Sequence, residues 1–468
     1  MHKPLCLALL LAATAHALAA DDATSKQTAD FRQWQKRADA EQAAADSALT
    51  DLQQRAAAGD AAAQFELGAL YYLGQGVPQD YAQAAVWWER AATQDHVDAQ
   101  FNLGALYGEG QGVAQDYSQA RAWYEKAAAQ GDASAQHNLG VLYAEGQGVA
   151  QDYAQARAWF EKAAAQDDAN AQNSLGVLYD NGHGVAQDYA QAHTWYEKAA
   201  AKGNSHAQYN LGYLYYEGKG VTQDYGQARA WWEKAAAQGD AGAQYNLGIL
   251  YANGWGVAQD YGQARAWYEK AAAQDFAQAQ YNLGLLYYKG QGVTQDYAQA
   301  AAWYEKAATQ GNANAQHNLG ALYDEGKGVA QDYGQARVWY EKAAAQGNTG
   351  AQYNLSVLYA EGQGVAQDYA QARAWWEKAA AQGHAQAQYN LGVLYAKGLG
   401  VVQDYGQARA WYEKAAAQGD ADAQYNLGVL YYNGEGVPRD ISKAREWFEK
   451  AAAQGDESAK AALQKFGK

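Results

Sequence analysis

Hydrophobic and polar residues recur along this chain with a period of 36 residues. With the first residue of each segment numbered zero, leucine recurs at positions 7 and 10, tyrosine at position 11, and glycine at position 8 except at Ser356. A fixed period of this length without insertions is typical of a stacked-repeat architecture. The eleven segments begin at Asp60, His96, Asp132, Asp168, Asn204, Asp240, Phe276, Asn312, Asn348, His384 and Asp420, and the last ends at Gly455.

The pattern within one segment predicts two helices. At about 100° per residue, positions 3, 4, 7, 8 and 11 fall on one side of a helix, which predicts a helix A over positions 1 to 13. Glycines at positions 14 and 16 end helix A. Aspartate at position 20 then caps a helix B, whose apolar stripe comprises positions 21, 24, 27, 28, 31 and 32. Each segment is therefore a predicted helical hairpin that buries its stripe only against neighbouring hairpins.

Two features of these helices give specific expectations. Tryptophan occupies position 27 in every segment, and we interpret this row as core, so that truncation of one buried ring costs on the order of 3 to 5 kcal/mol. His96, Phe276 and His384 replace the usual Asp or Asn at position zero. Asp95 and Asp275 precede the first two and are expected to take over the cap, whereas helix A after His384 lacks one.

The chain divides into four parts by sequence. Residues 1–20 combine a basic start, an apolar run and an Ala-Leu-Ala site ending at Ala19, the pattern of a cleaved signal peptide. Residues 21–59 are a predicted N-terminal helical cap, 60–455 the eleven repeats, and 456–468 a C-terminal capping helix. The only cysteine, Cys6, lies in the signal. We therefore expect a periplasmic or secreted protein without disulfides.

Charge and hydropathy exclude several classes of partner. The chain carries 35 basic and 51 acidic residues, a formal net charge of -16, with no basic stripe. Nucleic acids and anionic membranes are recognised first through cationic contacts to phosphate, so neither is an expected partner. Outside the signal no apolar stretch approaches the 18 residues of a membrane helix, so membrane insertion is not expected. We also expect a monomer.

The repeated residues resemble those of a known family. A Leu-Gly pair, a tyrosine three residues after that glycine, Gly-x-Gly-Val, Asp, and then Ala-x-x-Trp-Tyr-x-Lys-Ala-Ala are similar to the Sel1-like repeat, a relative of the tetratricopeptide repeat. The resemblance covers residues 60–455 and partly the caps. It implies an all-α fold, an α/α solenoid in which antiparallel helix pairs form a right-handed superhelix with helix A on the concave side. It further implies a protein that holds other proteins, and bacterial members with signal peptides are periplasmic or secreted.

The variable positions of helix A indicate where a protein or peptide partner binds. Positions 2, 5, 9, 12 and 13 vary between segments and centre opposite the Leu/Gly/Tyr stripe. Positions 5 and 12 are rich in tyrosine, which offers a large rigid contact and a hydroxyl. The predicted partner-binding residues are His137, Tyr209, Tyr213, Tyr216, Tyr245, Tyr281, Tyr288, His317, Tyr353, Tyr389, Tyr425, Tyr432, Asn210, Asn246 and Asn282.

Structural alternatives remain open for these residues. The rings at position 5 serve equally well as packing between neighbouring helices A, and the asparagines at position 6 as bonds between repeats. For the invariant glutamine at position 4, bonding between repeats is the favoured interpretation. Position 15, at the hairpin tip, becomes Trp255 in one segment, and this ring either anchors a partner or packs against a neighbouring repeat.

Catalytic chemistry finds little support in the sequence. The chain has no G-x-S-x-G or H-E-x-x-H motif, and its Gly-x-Gly turns lack the GK[ST] ending of a phosphate loop. His183, His193 and His206 lack a usual metal-ligand spacing, so no metal or cofactor is expected. We therefore predict a non-enzymatic scaffold. The alternative is a cell-wall-related or penicillin-interacting enzyme, since a cysteine-rich branch of the family is linked to penicillin binding, but that branch depends on disulfides that this chain lacks.

Overall fold

The computed structural model describes residues 25–466, and within this range it contains 24 α-helices and no strand. The predicted all-α fold, an α/α solenoid of 36-residue helix pairs, is confirmed. The predicted signal peptide, residues 1–20, lies outside the described residues. We number the segments repeats 1 to 11.

The helices follow one pattern throughout. A helix Ser25–Ala57 precedes the repeats and a helix Glu457–Phe466 follows them. Helix A of repeats 1 to 11 comprises Ala61–Leu73, Val97–Glu109, Ala133–Glu145, Ala169–Asn181, Ser205–Glu217, Ala241–Asn253, Ala277–Lys289, Ala313–Glu325, Thr349–Glu361, Ala385–Lys397 and Ala421–Asn433. Helix B comprises Tyr81–Ala92, Tyr117–Ala129, Tyr153–Ala165, Tyr189–Ala201, Tyr225–Ala237, Tyr261–Ala272, Tyr297–Thr309, Tyr333–Ala345, Tyr369–Ala381, Tyr405–Ala417 and Ile441–Ala453.

The described residues form two compact units, which divide between Ala235 and Ala236. In the first unit, the helix Ser25–Ala57 packs on helix A of repeat 1, and repeats 1 to 4 follow as a stack of hairpins. In the second unit, repeats 6 to 11 are stacked in the same way and the helix Glu457–Phe466 packs on helix B of repeat 11. In both units the alanines and leucines of positions 3, 7 and 10 are buried.

Side chains at position zero cap helix A. The Asp132 carboxylate, for example, accepts a hydrogen bond from the Ala135 N–H at 2.6 Å. The expected shift of the cap to Asp95 and Asp275 is wrong. Both aspartates have positive φ, 62° and 59°, at the position where most repeats have glycine. The His96 ring accepts the hydrogen bond from the Ala99 N–H instead, and Phe276 makes no side-chain cap. The expectation that helix A after His384 lacks a cap is also wrong, because the His384 ring accepts a hydrogen bond from the Ala387 N–H.

The Gly-x-Gly turn has two separate functions. Gly110, at position 14 of repeat 2, takes the left-handed conformation, with φ of 71°, that ends helix A. Gly112, at position 16, also has positive φ, and a Cβ there would lie 2.2 Å from the backbone of Tyr81, the first residue of helix B in repeat 1. Glycine at position 16 therefore permits the turn to contact the preceding repeat.

The most deeply buried aromatic ring of each hairpin lies at position 28, not at position 27. A Cβ on Gly248, at position 8, would lie 2.4 Å from the Tyr268 ring of helix B, so the absent side chain makes room for this ring. Tyr268 is 3% exposed and Trp232, its equivalent in repeat 5, is 1% exposed. The position 8 glycine of helix A thus provides the space in which the aromatic ring of helix B packs.

The tryptophan row at position 27 is less buried than we expected. Only Trp123 and Trp339 are buried, and the other nine rings are half-buried. These tryptophans pack against the cluster that helix B of the preceding repeat forms with helix A of their own repeat, as Trp159 does against the cluster around Tyr124 and Leu139. The cation at position 30 covers each ring, at 3.7 to 4.4 Å from the ring centroid. Truncation should therefore cost less than the predicted 3 to 5 kcal/mol.

Buried glutamines join successive repeats. Gln100, at position 4, donates to the carbonyl of Ala92 in the preceding repeat at 3.0 Å, and its own Oε1 accepts from Gln130 at 2.9 Å. This is the bond between repeats predicted for position 4. In repeat 4, Lys202 replaces the second glutamine and bonds to Asp167 instead, which leaves Gln172 Oε1 without a partner.

Candidate partner-binding surface

Within each of the two units the variable positions of helix A form a surface, and we use the name helix A surface for either one. It comprises positions 2, 5, 9, 12 and 13 of helix A, in repeats 1 to 5 in the first unit and in repeats 6 to 11 in the second. In repeat 8 these are Asn314, His317, Ala321, Asp324 and Glu325, and each is half-buried or exposed. Positions 3, 4, 7, 8 and 10 are buried in every repeat. The spacing correctly placed positions 3, 4, 7 and 8 in the core, whereas position 11, predicted on the same side, is half-buried in every repeat.

The rings at position 5 lie against the buried rings of helix B. In repeat 7, the Tyr281 ring lies 5.8 Å from the Tyr304 ring, and in repeat 10 the Tyr389 ring lies 5.9 Å from the Tyr412 ring. His137 and His317 lie at 5.5 and 5.9 Å from their partners. Each position 5 ring is half-buried. One part of the ring therefore packs within the hairpin while another part remains open to solvent.

The asparagines at position 6 connect neighbouring repeats. Asn210 donates to Asn173 of the preceding repeat at 3.2 Å, and Asn354 lies 3.2 Å from His317 Nε2. Where repeat 4 has Ser174 at this position, its hydroxyl lies 3.2 Å from His137 Nε2. Position 6 of one repeat thus bonds to position 5 of the repeat before it, which holds the rings of the helix A surface in place.

Burial changes the titration of these rings. Desolvation raises the pKa of Tyr281 and of Tyr353, while hydrogen bonds to Asn318 and Asn390 act in the opposite direction. Desolvation also lowers the pKa of His317, against a smaller opposing effect of its bond to Asn318. The surface therefore presents neutral aromatic rings near neutral pH.

Position 12 decides how far each part of this surface is filled. Tyr72 packs its ring 5.2 Å from Tyr81 and 5.3 Å from Trp88 of the same repeat. Tyr216 packs on both equivalent rings in repeat 5, and Tyr288 packs on the position 21 ring in repeat 7. Repeat 11 has Tyr432 at position 12, and the remaining repeats have aspartate, alanine or glycine there. Sequence reasoning singled out the tyrosines at this position and missed the small residues, which leave space beside the helix B ring.

The predicted contact residues differ in exposure. Tyr213 and Tyr432 are the most exposed, at 36% and 41%. The other predicted residues, including Asn246 and Asn282, are half-buried. Trp255 at the hairpin tip is 36% exposed. Other tips contact the preceding repeat, as His183 does by stacking 4.7 Å from Tyr153. The role of the predicted contact residues and of Trp255 in partner binding remains a prediction.

Comparison with known proteins identifies the repeat. The sequence model of the Sel1 repeat matches eleven adjacent segments, from 61–96 to 421–456, which together span most of the chain. This chain belongs to the Sel1 repeat family. Proteins built from Sel1 repeats are typically protein-interaction scaffolds.

The solved structures similar to this Sel1 repeat chain include two bacterial proteins. A protective antigen present in uropathogenic Escherichia coli strains, which displays an SLR fold, is 42% identical, with a TM-score of 0.73 over 88% of this chain and 89% of that chain. A Sel1 repeat protein from Oxalobacter formigenes is 36% identical, with a TM-score of 0.54 over 67% of this chain and 91% of that chain. No curated protein matches this chain significantly.

Within residues 25–466, no three His, Cys, Asp or Glu side chains are grouped so as to hold a metal ion. None of the helices described there is long and apolar enough to cross a membrane. His193 lies 3.2 Å from the Tyr215 hydroxyl, and His183 stacks on Tyr153. These histidines are thus partners of tyrosines within the repeat stack.

Proposed function

We propose that this chain is a non-enzymatic scaffold that binds one or more polypeptides along the helix A surface. The observation that carries the proposal is the row of half-exposed aromatic rings at position 5, held by the helix B rings and by Asn at position 6. Because these rings are already ordered, a partner that packs on them loses little side-chain freedom. Aromatic side chains are also the residues that most often dominate protein interfaces.

The chemistry of the surface suggests the kind of partner. Position 13 adds exposed carboxylates, among them Glu145, Glu217 and Glu361, beside the aromatic rings. With a net charge of -16, the chain repels strongly acidic partners. A neutral or basic polypeptide is therefore the proposed partner, and nucleic acid is not.

We further propose that the protein is exported to the periplasm or beyond and acts as a monomer. The signal-like residues 1–20 support export. The similar Escherichia coli protein is a protective antigen. None of the described residues favours the cell-wall or penicillin-interacting enzyme considered as the alternative.

Crosslinking in cells tests the scaffold function. A photo-reactive amino acid at Tyr281, on the helix A surface, should capture a partner polypeptide, whereas one at Ala302, on the exposed side of helix B, should not. The captured protein would then be purified and its affinity measured by calorimetry. Tyr281→Ala should weaken binding by about 1 to 2 kcal/mol, with graded losses at other ring positions. Capture of this chain's own helices alone would refute the proposal.

A further inference from the structure

One part of the helix A surface contains an unfilled groove. It lies between repeats 9 and 10 in the second unit and has a volume of about 350 Å³. The residues that matter for its shape are Tyr353, Ala360, Tyr369, Trp376, Asn390 and Leu399. The groove thus combines positions 5, 12, 21 and 28 of repeat 9 with positions 6 and 15 of repeat 10.

Other repeats of this chain show what fills the same place. Trp88, Trp232 and Trp376 are the three tryptophans at position 28. In repeats 1 and 5, the tyrosine at position 12 lies on this tryptophan and on the tyrosine at position 21. Tyr72 is 5.3 Å from Trp88, and Tyr216 is 5.5 Å from Trp232. Repeat 9 retains the two walls, Tyr369 and Trp376, but has Ala360 where the third ring would be.

The tryptophan of repeat 9 is also bonded differently. The indole N–H groups of Trp88 and Trp232 donate to the position 5 carbonyls, at 3.1 and 3.0 Å. In repeat 9 the hydroxyl of Ser356, which replaces the usual glycine, donates to the Tyr353 carbonyl instead. Trp376 Nε1 consequently has no hydrogen-bond partner, although the residue is only 6% exposed. Repeat 9 thus departs from the other two repeats at two positions around one ring, Ser356 and Ala360.

The tip of repeat 10 closes one end of the groove with an apolar side chain. Leu399 occupies position 15, where most repeats have Gln, Lys or Glu, and it packs against the core cluster around Trp376 and Leu391. Elsewhere a polar tip reaches the position 21 tyrosine, as Gln291 does to the Tyr261 hydroxyl at 3.2 Å. The replacement makes the groove apolar at that end, which favours an apolar occupant.

We propose that this groove is a slot for an aromatic side chain, of the tyrosine or phenylalanine type, presented by a partner polypeptide. The occupant follows from the chain itself, because repeats 1 and 5 bind a tyrosine ring of their own between equivalent walls. Offset and edge-to-face ring contacts at these distances are favourable beyond the burial of area. The inference rests on the proposed scaffold function and adds the identity of one anchoring side chain.

A small probe tests the slot without a partner. The full chain would be labelled with 5-fluorotryptophan, and Trp376→Phe would assign the resonance of Trp376. N-acetyl-L-tyrosinamide should shift this resonance saturably, with a Kd on the order of 1 mM. N-acetyl-L-leucinamide should bind at least about tenfold more weakly, because it lacks a ring to stack. The absence of a saturable shift at Trp376 would overturn the proposal.

Matched variants locate the probe. Ala360→Tyr supplies the missing ring, so it should abolish the shift while circular dichroism and the melting temperature show an intact fold. Ala396→Tyr, the same change at position 12 of repeat 10, should leave the probe affinity within about twofold. Equal binding by the wild type and Ala360→Tyr would place the probe elsewhere and overturn the slot.

The remaining outcomes separate the slot from the scaffold function. A negative probe experiment refutes the slot alone, because crosslinking at Tyr281 tests the function in a different repeat. A positive probe experiment supports the slot even if crosslinking refutes the larger function. Sedimentation of both proteins tests one further occupant. A wild-type dimer that Ala360→Tyr dissociates would show that a second copy fills the groove, which would overturn the proposal of a partner polypeptide.

Discussion

At the scale of single residues, Ser356 shows how one side chain alters the contact between helices A and B. A Cβ at position 8 points into the helix B ring, and the hydroxyl takes the carbonyl that the indole N–H uses in repeats 1 and 5. A buried donor without a partner costs about 1 to 3 kcal/mol. Ser356 therefore makes repeat 9 less stable than it would be with the glycine that the other repeats have at position 8.

We predict that Ser356→Gly stabilises repeat 9 by about 1 kcal/mol, since the regained bond of Trp376 exceeds the small loss of helix propensity. Hydrogen exchange of the amides in residues 353–358 would measure the change. The matched control is Gly392→Ser in repeat 10, where the new Cβ would lie 2.4 Å from the Tyr412 ring. This variant should lose about 1 to 3 kcal/mol. Faster exchange in Ser356→Gly would contradict the argument.

The histidines at position 5 make stability depend on pH. His317 Nε2 lies 3.2 Å from the Asn354 amide nitrogen and Nδ1 lies 3.2 Å from Asn318 Oδ1, an arrangement that suits the neutral ring. Burial lowers its pKa below the ordinary value of 6.5. As the pH falls below about 6.5, the unfolded chain therefore takes up the proton before the folded chain does, and stability decreases.

We predict that His317→Tyr, which installs the commonest residue of position 5, reduces this loss of stability. Guanidinium midpoints at about pH 7.5 and about pH 5.5 would measure it, because this interval brackets the titration of an ordinary histidine. His206→Tyr, a change at an exposed position of helix A, is the control and should keep the wild-type dependence. The same decrease in all three proteins would show that His317 has no part in it.

At the scale of elements, the glutamine bonds act as fixed links between one helix B and the next helix A. Gln388 is 5% exposed, donates to the Ala380 carbonyl at 3.2 Å, and accepts from Gln418 at 2.8 Å. Gln172 keeps the bond to the carbonyl of the preceding repeat, at 3.4 Å, but Lys202 replaces the donor to its Oε1 and pairs with Asp167 instead. The two sites thus differ in the hydrogen bond to Oε1 and in the residue before the repeat, which is Asp167 in one case and Gly383 in the other.

We predict that Gln388→Leu destabilises the protein by about 2 kcal/mol, because a buried carbonyl and a partly buried amide lose their partners. Gln172→Leu should cost about 1 kcal/mol less, since its Oε1 has no bond to lose. Chemical denaturation followed by circular dichroism would compare the two variants. Equal losses would indicate that the bond to the second glutamine adds nothing to stability.

At the scale of the whole molecule, equivalent contacts make the repeats interchangeable. In the second unit, the Ala272 carbonyl of repeat 6 accepts from Gln280 of repeat 7, and the Ala308 carbonyl of repeat 7 accepts from Gln316 of repeat 8. Each repeat therefore offers the next repeat the same contact surface that the preceding repeat offers to it. Stability in such arrays is approximately a sum of repeat and nearest-neighbour terms.

We predict that deleting residues 276–311, which is repeat 7, leaves a folded protein whose melting temperature falls by only about 2 to 5 °C. Gln316 would then bond to the Ala272 carbonyl. Deleting residues 294–311 alone, which removes helix B of repeat 7, should abolish cooperative unfolding. Helix A of that repeat would then lack the helix B ring that packs on its position 8 glycine. Circular dichroism melts would compare them. Aggregation of the full-repeat deletion would refute the interchangeable repeat.

Much of the fold could be predicted because it depends on local chemistry. The 36-residue period, the capping aspartates and the left-handed glycines at position 14 act within a few residues of the chain, so the ends of both helices followed directly. The exposed side of helix A also followed from residue spacing alone. The caps at His96 and His384 were not predicted, because they depend on the conformation of the residue before each histidine.

The sequence by itself determined that this chain is a stack of helical hairpins, since no single hairpin can bury its apolar stripe alone. Tertiary structure decided which ring of helix B enters the core, because that choice depends on how closely helix A approaches at the position 8 glycine. It also decided that position 6 bonds to the preceding repeat, and that Ala360, Trp376 and Leu399 border one groove. Ala360 and Trp376 lie in the two helices of repeat 9 and Leu399 in the turn of repeat 10, and only packing brings them together.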